Sequence, residues 1–244
     1  MRLRAILILS DRSICRTDFR GRSMRIILAG GTGLVGSDVL RRLGARPDIE
    51  MLVTVSRRPV ASVGPTHVPI VSGVEDWSSR MASERFDVAI CCLGTTIRDA
   101  GSKAAFAAVD LDAVVGFARA AHEAGARQCL LVTSVGADAH ARNFYLATKG
   151  QAEAAVRDVG FDRLDIFRPG LLVGQRAGRL RLGERAAIVL SPLTDLLTPN
   201  VLSRYRSIPA KTVAAAIANC VGATERGVFI HHNDEMRRIQ SKSE

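Results

Sequence analysis

Residues 24–36 read MRIILAGGTGLVG, and this stretch decides the fold. Met24–Ala29 is a short apolar run of the kind that becomes a buried strand. Gly30, Gly33 and Gly36 then match GxxGxxG, and Gly31, Gly33 and Gly36 match GxGxxG. Glycine at such positions permits a tight turn, close approach of the backbone to a pyrophosphate, and close packing of a helix on a strand. The stretch predicts a dinucleotide-binding turn; an ordinary glycine-rich turn is the plainer alternative.

Beyond this turn, strand-like and helix-like segments alternate, which is the pattern of a parallel α/β sheet. The predicted strands are Met24–Ala29, Met51–Ser56, Val68–Val71, Phe86–Leu93, Gln128–Val135, Leu164–Phe167 and Gly227–His231; the predicted helices are Gly33–Leu43, Ala104–Ala124, Tyr145–Val159 and Lys211–Val221. We therefore predict an α/β fold with a doubly wound parallel sheet of the Rossmann type and a small irregular C-terminal cap. The expected divisions are an extension over residues 1–23, a dinucleotide-binding domain over 24–170, and a cap over 171–244 packed on the same domain.

Composition excludes several classes of protein. The chain has 244 residues, of which 47% are hydrophobic, and no apolar run approaches the ~18 residues that span a bilayer. The net charge of +10 raises the possibility of a nucleic-acid partner, but the excess is not clustered in the body of the chain, so none is expected. We expect a small-molecule substrate, with monomer and homodimer both open. The five cysteines are unevenly spaced and include no CxxC pair, which favours a reducing cytoplasm.

The segment over residues 1–23 carries six arginines and two aspartates. Its apolar stretch is shorter than the ~7–15 residues of a secretory signal. We expect a poorly ordered extension, or a start assigned too early with Met24 as the functional start. An arginine-rich organelle transit peptide is the alternative.

The end of the second strand indicates which dinucleotide is bound. A chain that binds NAD usually places an acidic residue there, for the ribose hydroxyls. Here Ser56 is followed by Arg57 and Arg58, and no acid is present. A guanidinium is well shaped to pair with a 2′-phosphate, so the sequence favours NADP over NAD. Arg58 alone is equally well explained as a solvated loop residue.

Tyr145 and Lys149 stand four residues apart at the start of a predicted helix, so they lie on one face of it. An ammonium beside a phenol favours the ionised phenol, which could exchange a proton with a carbonyl or alcohol oxygen. Ser134 follows a strand and could hold that oxygen by a hydrogen bond. The same face continues through Ala152, Val156 and Val159, and the charged or polar residues Gln151, Glu153, Arg157 and Asp158 are placed around the rest of the helix. A surface tyrosine and a surface lysine are the plainer alternative.

These motifs together resemble the short-chain dehydrogenase/reductase superfamily, in its extended or atypical branch. A closer resemblance is to the Tat-interacting-protein oxidoreductase family, over roughly residues 24–220. It is carried by CCLGTT (91–96), VD (109–110), FYLATKG (144–150), FDR (161–163) and FRPG (167–170).

The resemblance implies an NADPH site above the sheet. Its cofactor-binding residues would be Gly30, Thr32, Gly33, Leu34, Val35, Gly36, Arg57, Arg58, Leu93, Gly94, Thr95, Thr133, Lys149, Pro169 and Gly170, and its catalytic residues Tyr145, Lys149 and Ser134. Two features depart from the superfamily pattern. Ser72-Gly73 stands where an aspartate usually lies near the adenine, and Asp110 stands where many relatives have a structural asparagine.

We therefore expect an NADP-dependent oxidoreductase that moves a hydride to or from a small carbonyl or alcohol. An NADP(H)-binding regulator with little catalysis is the first alternative, because a fold and a cofactor do not prove turnover. A nucleotide-sugar epimerase or dehydratase ranks lower, because it needs a larger substrate domain. No metal site is expected, since His231-His232 with Asp234 is a weak ligand set. Past residue 170, the arginines Arg176, Arg179, Arg181 and Arg185 fit either an anionic substrate or a solvated loop.

Overall fold

The computed structural model describes residues 23–174 and 205–241. The predicted extension over residues 1–23 and the four arginines over 176–185 lie outside the described residues, apart from Ser23. Within the described ranges, no helix combines the length and the apolar character needed to cross a membrane.

The described chain alternates strands and helices from Met24 onward. The strands are β1 Met24–Ala29, β2 Ile49–Ser56, β3 His67–Val71, β4 Val88–Cys91, β5 Gln128–Val132, β6 Arg163–Phe167, β7 Leu172–Val173, β8 Ile208–Pro209 and β9 Gly227–His231. The helices are α1 Gly36–Gly44, α2 Trp77–Met81, α3 Ile97–Ala100, α4 Lys103–Ala107, α5 Val114–Glu123, α6 Phe144–Val159, α7 Ala210–Cys220 and α8 Asn233–Ser241, with a 3₁₀ turn at Val74–Asp76 and a π turn at Ala108–Ala113.

Seven strands form one sheet in the order β3-β2-β1-β4-β5-β6-β9, and every neighbouring pair is parallel. The predicted Rossmann-type sheet is confirmed. The order reverses beside β1, which pairs with β2 on one side and β4 on the other. In an open α/β sheet, ligands bind at the carboxyl ends of the strands next to such a reversal. The topology therefore places the glycine turn, which follows β1, at the binding crevice.

Helices cover both faces of the sheet because the central strands are apolar on both sides. Along β1, Ile26 and Leu28 pack into the core beneath α1, α7 and α8, while Ile27 and Ala29 pack into the core beneath α2, α5 and α6. Successive side chains of a strand point to opposite faces, so this alternation divides one apolar run between two layers. The strand is thereby fixed in the middle of the domain.

The predicted helix over 104–124 is not continuous. It is divided into α4, the π turn and α5. A π turn inserts an extra residue into the helix and is frequent at functional sites. Here the widened turn carries Asp110, whose side chain is fully buried. The apolar spacing of the sequence does not reveal such an insertion, because the flanking turns keep their helical period.

The described part of the C-terminal region is more regular than the expected irregular cap. The predicted helix and strand appear as α7 and β9, and β9 extends the main sheet beside β6. A further helix, α8, was not predicted. Its apolar residues Met236 and Ile239 are buried, but they are separated by charged residues over a short segment.

Candidate functional site

The glycine turn brings two strands and a helix to backbone contact. Gly30 has a φ of +85°, and a Cβ built on it would lie 2.4 Å from the Cys92 carbonyl oxygen. A Cβ on Gly36 would lie 2.2 Å from the Gly30 oxygen. The Gly33 N–H closes the turn by donating to the Gly30 carbonyl at 2.9 Å. Gly30 and Gly36 are therefore required by close packing, and Gly30 also by its left-handed backbone.

The start of α1 offers free donors to an anion. The Ser37 N–H donates to the Gly33 carbonyl and the Val39 N–H to the Val35 carbonyl. No acceptor in the described part of the chain takes the N–H of Leu34 or Val35. Unsatisfied N–H groups and the positive end of a helix dipole suit a phosphate. This turn fits the pyrophosphate of a dinucleotide, and Thr32 is exposed beside it.

Lys149 reaches the carboxyl end of β4 as a buried ammonium. Its Nζ lies 2.7 Å from Asp110 Oδ1, and the two residues are 5% and 0% exposed. The other oxygen of Asp110 accepts the Thr95 N–H at 2.9 Å. A Cβ on Gly94 would lie 3.5 Å from both charged atoms. The ion pair thus lies directly beneath Gly94, which is exposed. Gly94 belongs to the loop predicted to run along the cofactor, and its neighbours Leu93 and Thr95 are half-buried.

Tyr145 lies in the first turn of α6, one turn before Lys149. The Asn143 side chain caps this helix by accepting the Leu146 N–H, so the helix begins at Phe144. The Tyr145 ring is half-buried and packs on Phe106, with ring centroids 5.4 Å apart. The cap and the ring contact fix the position of the tyrosine at the end of α6 that faces the crevice.

Ser134 follows β5 and is half-buried. Its hydroxyl is 3.3 Å from the Val135 carbonyl, a weak local contact that leaves it available to a ligand. Its neighbour Thr133 is buried, and the Thr133 hydroxyl donates to Glu153 at 2.7 Å. The Thr133 side chain is therefore hydrogen-bonded in the interior of the protein, while Ser134 is the residue of this pair that faces outward.

The sequence predicted Glu153 to lie with the other polar residues of α6, away from the face that packs on the sheet, and this prediction is wrong. The residue is 1% exposed, and its carboxylate also accepts the Nε–H of Arg168 at 2.9 Å. Its position four residues after Lys149 is the signal that was overlooked, because that spacing repeats the buried face. The predicted apolar stripe through Ala152 and Val156 is buried as expected.

Pro169 and Gly170 are held from the C-terminal region. The Gly170 N–H donates to the Asn233 side chain at 3.1 Å, and the Asn233 amide donates to the Arg206 carbonyl at 2.7 Å. A Cβ on Gly170 would lie 2.2 Å from that same carbonyl oxygen. Asn233 fixes this loop through the Gly170 N–H and the Arg206 carbonyl, and nothing in the local sequence indicated it.

Arg57 and Arg58 are both exposed in the loop after β2. The Ser56 hydroxyl donates to the Arg58 carbonyl at 2.6 Å, which shapes the start of this loop. Two arginines therefore follow the carboxyl end of β2, where the sequence has no acidic residue from Ser56 to Pro59.

The cysteines near the crevice are structural. Burial raises the pKa of the Cys91 thiol to about 12 and raises that of Cys92 further. A neutral thiol is a poor nucleophile and a poor metal ligand. These residues pack in the core, as the sequence predicted.

A third buried carboxylate, Asp165 in the middle of β6, lies near His231. Its oxygens accept from Arg163 at 2.7 and 2.8 Å, from Gln128 at 2.9 Å and from His231 at 2.9 Å. Burial acts to raise the pKa of Asp165, but the hydrogen bond from His231 and the Arg163 guanidinium lower it overall. Asp165, Cys220 and His231 lie within metal-ligand distance of one another, but the Cys220 sulfur is disulfide-bonded and offers no thiolate. The Arg163 guanidinium on Asp165 makes a cation there unfavourable.

Comparison with known proteins agrees with this geometry. A family model described as NAD(P)H-binding matches residues 30–224. The chain is 31% identical over 230 residues to the protein "FMP52, mitochondrial" of Coccidioides immitis, which covers 88% of this chain and 92% of that protein. It is 32% identical over 208 residues to protein HTATIP2 of Rattus norvegicus, covering 84% of each.

Solved structures share the fold at low sequence identity. WbmH of Bordetella bronchiseptica, in complex with NAD⁺, has a TM-score of 0.63 at 14% identity, covering 86% of this chain and 75% of that one. DesIV of Streptomyces venezuelae, a dTDP-glucose 4,6-dehydratase with NAD bound, has a TM-score of 0.61 at 18% identity, covering 90% and 81%. At such identities the likeness establishes the fold alone.

The expectation of a cytoplasmic location is wrong. Relatives from Coccidioides immitis, Candida albicans, Meyerozyma guilliermondii and Emericella nidulans are all named as mitochondrial proteins. Cysteine usage indicates whether a compartment is reducing, and it does not distinguish one reducing compartment from another.

The family match and the two groups of curated relatives thus agree with three features of the structure: the glycine turn, the helix α6 that carries Lys149, and the parallel sheet. The chain belongs to the NAD(P)H-binding family, in the Tat-interacting-protein group of the FMP52 and HTATIP2 proteins.

Proposed function

We propose that this protein is an NADP(H)-dependent oxidoreductase for small carbonyl or alcohol substrates. The observation that carries this proposal is the Lys149 ammonium, buried beneath exposed Gly94 and held at 2.7 Å by Asp110. A buried charge is costly and is retained where it has a partner and a use. Here it lies at the carboxyl end of the sheet, beside the reversal in strand order.

The cofactor would lie across the carboxyl ends of the strands. Gly30, Gly33 and Gly36, with the N–H groups of Leu34 and Val35, would hold its pyrophosphate. Arg57 would pair with the 2′-phosphate. The residues lining the rest of the cofactor would be Thr32, Arg58, Leu93, Gly94, Thr95, Pro169 and Gly170, while Thr133, predicted to join them, would support them from the interior. When bound, the nicotinamide supplies or accepts a hydride.

The protein's own groups would position the cofactor and move a proton. An ammonium has three donors, and Asp110 fixes its direction, so Lys149 keeps donors for the nicotinamide ribose. Ser134 would orient the substrate oxygen by a hydrogen bond. Tyr145 would exchange a proton with that oxygen as the general acid or base.

Calorimetric titration of the full chain with NADPH and NADH tests the cofactor assignment. We expect NADPH to bind at least about tenfold more tightly, a difference of ~1.4 kcal/mol. Arg57→Ala should remove this preference, while Arg119→Ala, at an exposed arginine of α5 outside the proposed site, serves as the matched control and should retain it. Equal affinities in the wild type would overturn the NADP preference, and binding of neither cofactor would overturn the proposed function.

One observation favours a second candidate, an NADP(H)-binding regulator with little turnover. The Asp110 carboxylate compensates the Lys149 charge directly, which weakens the influence of that ammonium on Tyr145. Oxidation of NADPH against a panel of aldehydes and ketones separates the two candidates. Turnover that disappears in Tyr145→Phe, with NADPH binding retained, supports the oxidoreductase. NADPH binding with no turnover in the wild type supports the regulator.

A further inference from the structure

The Glu153 carboxylate joins three parts of the candidate site. It projects from α6 one turn after Lys149 and is almost fully buried. One oxygen accepts both the Thr133 hydroxyl at 2.7 Å and the Arg168 Nε–H at 2.9 Å. The other accepts the Nη2 of Arg168 at 2.5 Å. Both carboxylate oxygens are therefore engaged, and Arg168 binds in the two-pronged manner that suits a guanidinium.

Each partner of Glu153 immediately precedes residues assigned to the site. Thr133 precedes Ser134, and Arg168 precedes Pro169 and Gly170. The two segments also pair with each other past the ends of β5 and β6. The Thr133 N–H donates to the Phe167 carbonyl and the Val135 N–H to the Pro169 carbonyl, both at 2.9 Å. A shift of one segment therefore carries the other with it.

We propose that Glu153 is a positioning residue that sets the loops after β5 and β6 relative to α6, the helix that carries Lys149. It would thereby place Ser134 against the substrate oxygen and Pro169-Gly170 against the nicotinamide. This inference rests on the proposed function, since it concerns the nicotinamide end of the same site. Glu153 would not touch the cofactor or the substrate; it would act through Thr133 and Arg168.

A carboxylate is required at this position because all its partners are donors. The Arg168 guanidinium has donors only. A glutamine would present its own NH₂ group to one arm of Arg168, so a donor would face a donor. Glu153→Gln thus keeps the size of the side chain and breaks the two-pronged contact. Hydrogen bonds to charged groups are stronger than those between neutral groups, so losing one should shift the loops.

Titration of the full-length Glu153→Gln variant with two ligands tests the proposal. The ligands are NADPH and adenosine 2′,5′-bisphosphate, which carries the 2′-phosphate but no nicotinamide. We expect NADPH to bind about tenfold more weakly, a loss of ~1.4 kcal/mol. The affinity for the bisphosphate should stay the same, because its site lies at Arg57 and the glycine turn. The fluorescence of bound NADPH should also change as the nicotinamide loses its fixed surroundings.

Asp165→Asn is the matched control. It makes the same change from acid to amide at another buried carboxylate that binds an arginine, but in the middle of β6. We expect it to lower the melting temperature while leaving the affinities for both ligands unchanged. A purely structural role of Glu153 would make the two variants behave alike. A parallel loss of both ligands in Glu153→Gln, or an unchanged NADPH affinity, would overturn the proposal.

Thr133→Val keeps the proposal testable if Glu153→Gln does not fold. It removes only the hydroxyl that donates to Glu153, and it should weaken NADPH selectively but less than the glutamine variant. Equal effects on the two ligands, or none, would again contradict the inference. Failure of the proposed function is separate, since it appears as a wild type that does not bind NADPH.

Discussion

Asp110 and Asp165 are both fully buried and both paired with a cation, but they lie in different regions and are bonded differently. Asp110 is in the π turn at the carboxyl end of the sheet, and its partners are Lys149 and one backbone N–H. Asp165 lies inside β6 and accepts from Arg163, Gln128 and His231. The first region is the candidate site, and the second joins the last strand to the sheet.

The difference shows that a buried ion pair can contribute either to ligand binding or to stability. Asp165 is saturated with donors from the protein, and Arg163 also stacks over the Phe229 ring at 3.9 Å. Such a network fixes β6 and β9 and offers nothing to a ligand. The partner of Asp110 is an ammonium with donors to spare, and it lies beneath Gly94, which has no side chain to cover it. A buried ion pair that keeps unused donors at a crevice indicates a ligand site. A buried ion pair whose hydrogen-bonding groups are all used within the protein indicates a structural role.

The largest effect is expected at the saturated network. Asp165→Ala leaves the buried Arg163 charge without its partner, which typically costs about 3–5 kcal/mol of unfolding free energy. Urea denaturation measures this loss. The pKa of Asp165 is lowered in the folded protein, so its contribution is present above the unfolded value of about 3.9 and disappears as pH falls through the lower folded value. The acid limb of the stability profile should therefore flatten in the variant.

The control for that prediction is an exposed pair. Asp162 lies 3.6 Å from Arg226, and Arg226 is 79% exposed. Asp162→Ala should change the unfolding free energy by less than about 1 kcal/mol, because solvent screens such pairs. An equal loss in the two variants would show that burial is not the source of the difference.

A smaller loss of stability, accompanied by a loss of binding, is expected at the candidate site. Asp110→Asn keeps an acceptor for the Thr95 N–H but removes the charge beside Lys149, at a cost of about 2 kcal/mol of unfolding free energy. Lys149 then loses its fixed direction, so NADPH affinity should fall by at least about tenfold. Denaturation and calorimetry on one preparation measure both effects. A stability loss with unchanged NADPH affinity would make Asp110 a structural residue like Asp165.

The smallest effect is expected at a buried polar pair that contains no carboxylate. The His67 ring contacts the Thr54 hydroxyl at 2.9 Å through Nε2, and its Nδ1 accepts the Val63 N–H at 3.3 Å. Burial lowers the pKa of His67, so the folded state takes up its proton less readily than the unfolded chain, whose value is about 6.5. The unfolding free energy should therefore decrease as pH falls from about 6.5 to the folded value.

His67→Gln removes this titration and should flatten that part of the profile. Thermal unfolding of both proteins from pH 7 to pH 5 measures the difference. If stability changes with pH by the same amount in both proteins, the effect comes from another histidine.

The elements that sequence predicts well are those whose pattern repeats locally. Met24–Ala29 and the stripe through Ala152 and Val156 were predicted because apolar spacing reports burial. The interruption near Asp110 was missed because a π turn changes the hydrogen bonding of a helix without changing its composition. Asn233 was missed for another reason: its partners, Gly170 and Arg206, are distant in sequence, and their proximity depends on where β9 and α8 pack.

The sequence alone determined the parallel sheet, the glycine turn and the candidate residues Tyr145, Lys149 and Ser134, because each rests on spacing within one segment. Only the tertiary structure decided which charges meet. Asp110 lies 2.7 Å from Lys149, and Glu153 binds both Thr133 and Arg168, because the strand order brings the carboxyl ends of β4, β5 and β6 together. Ion pairs between elements act over a few ångströms, and that distance is set by packing rather than by position along the chain.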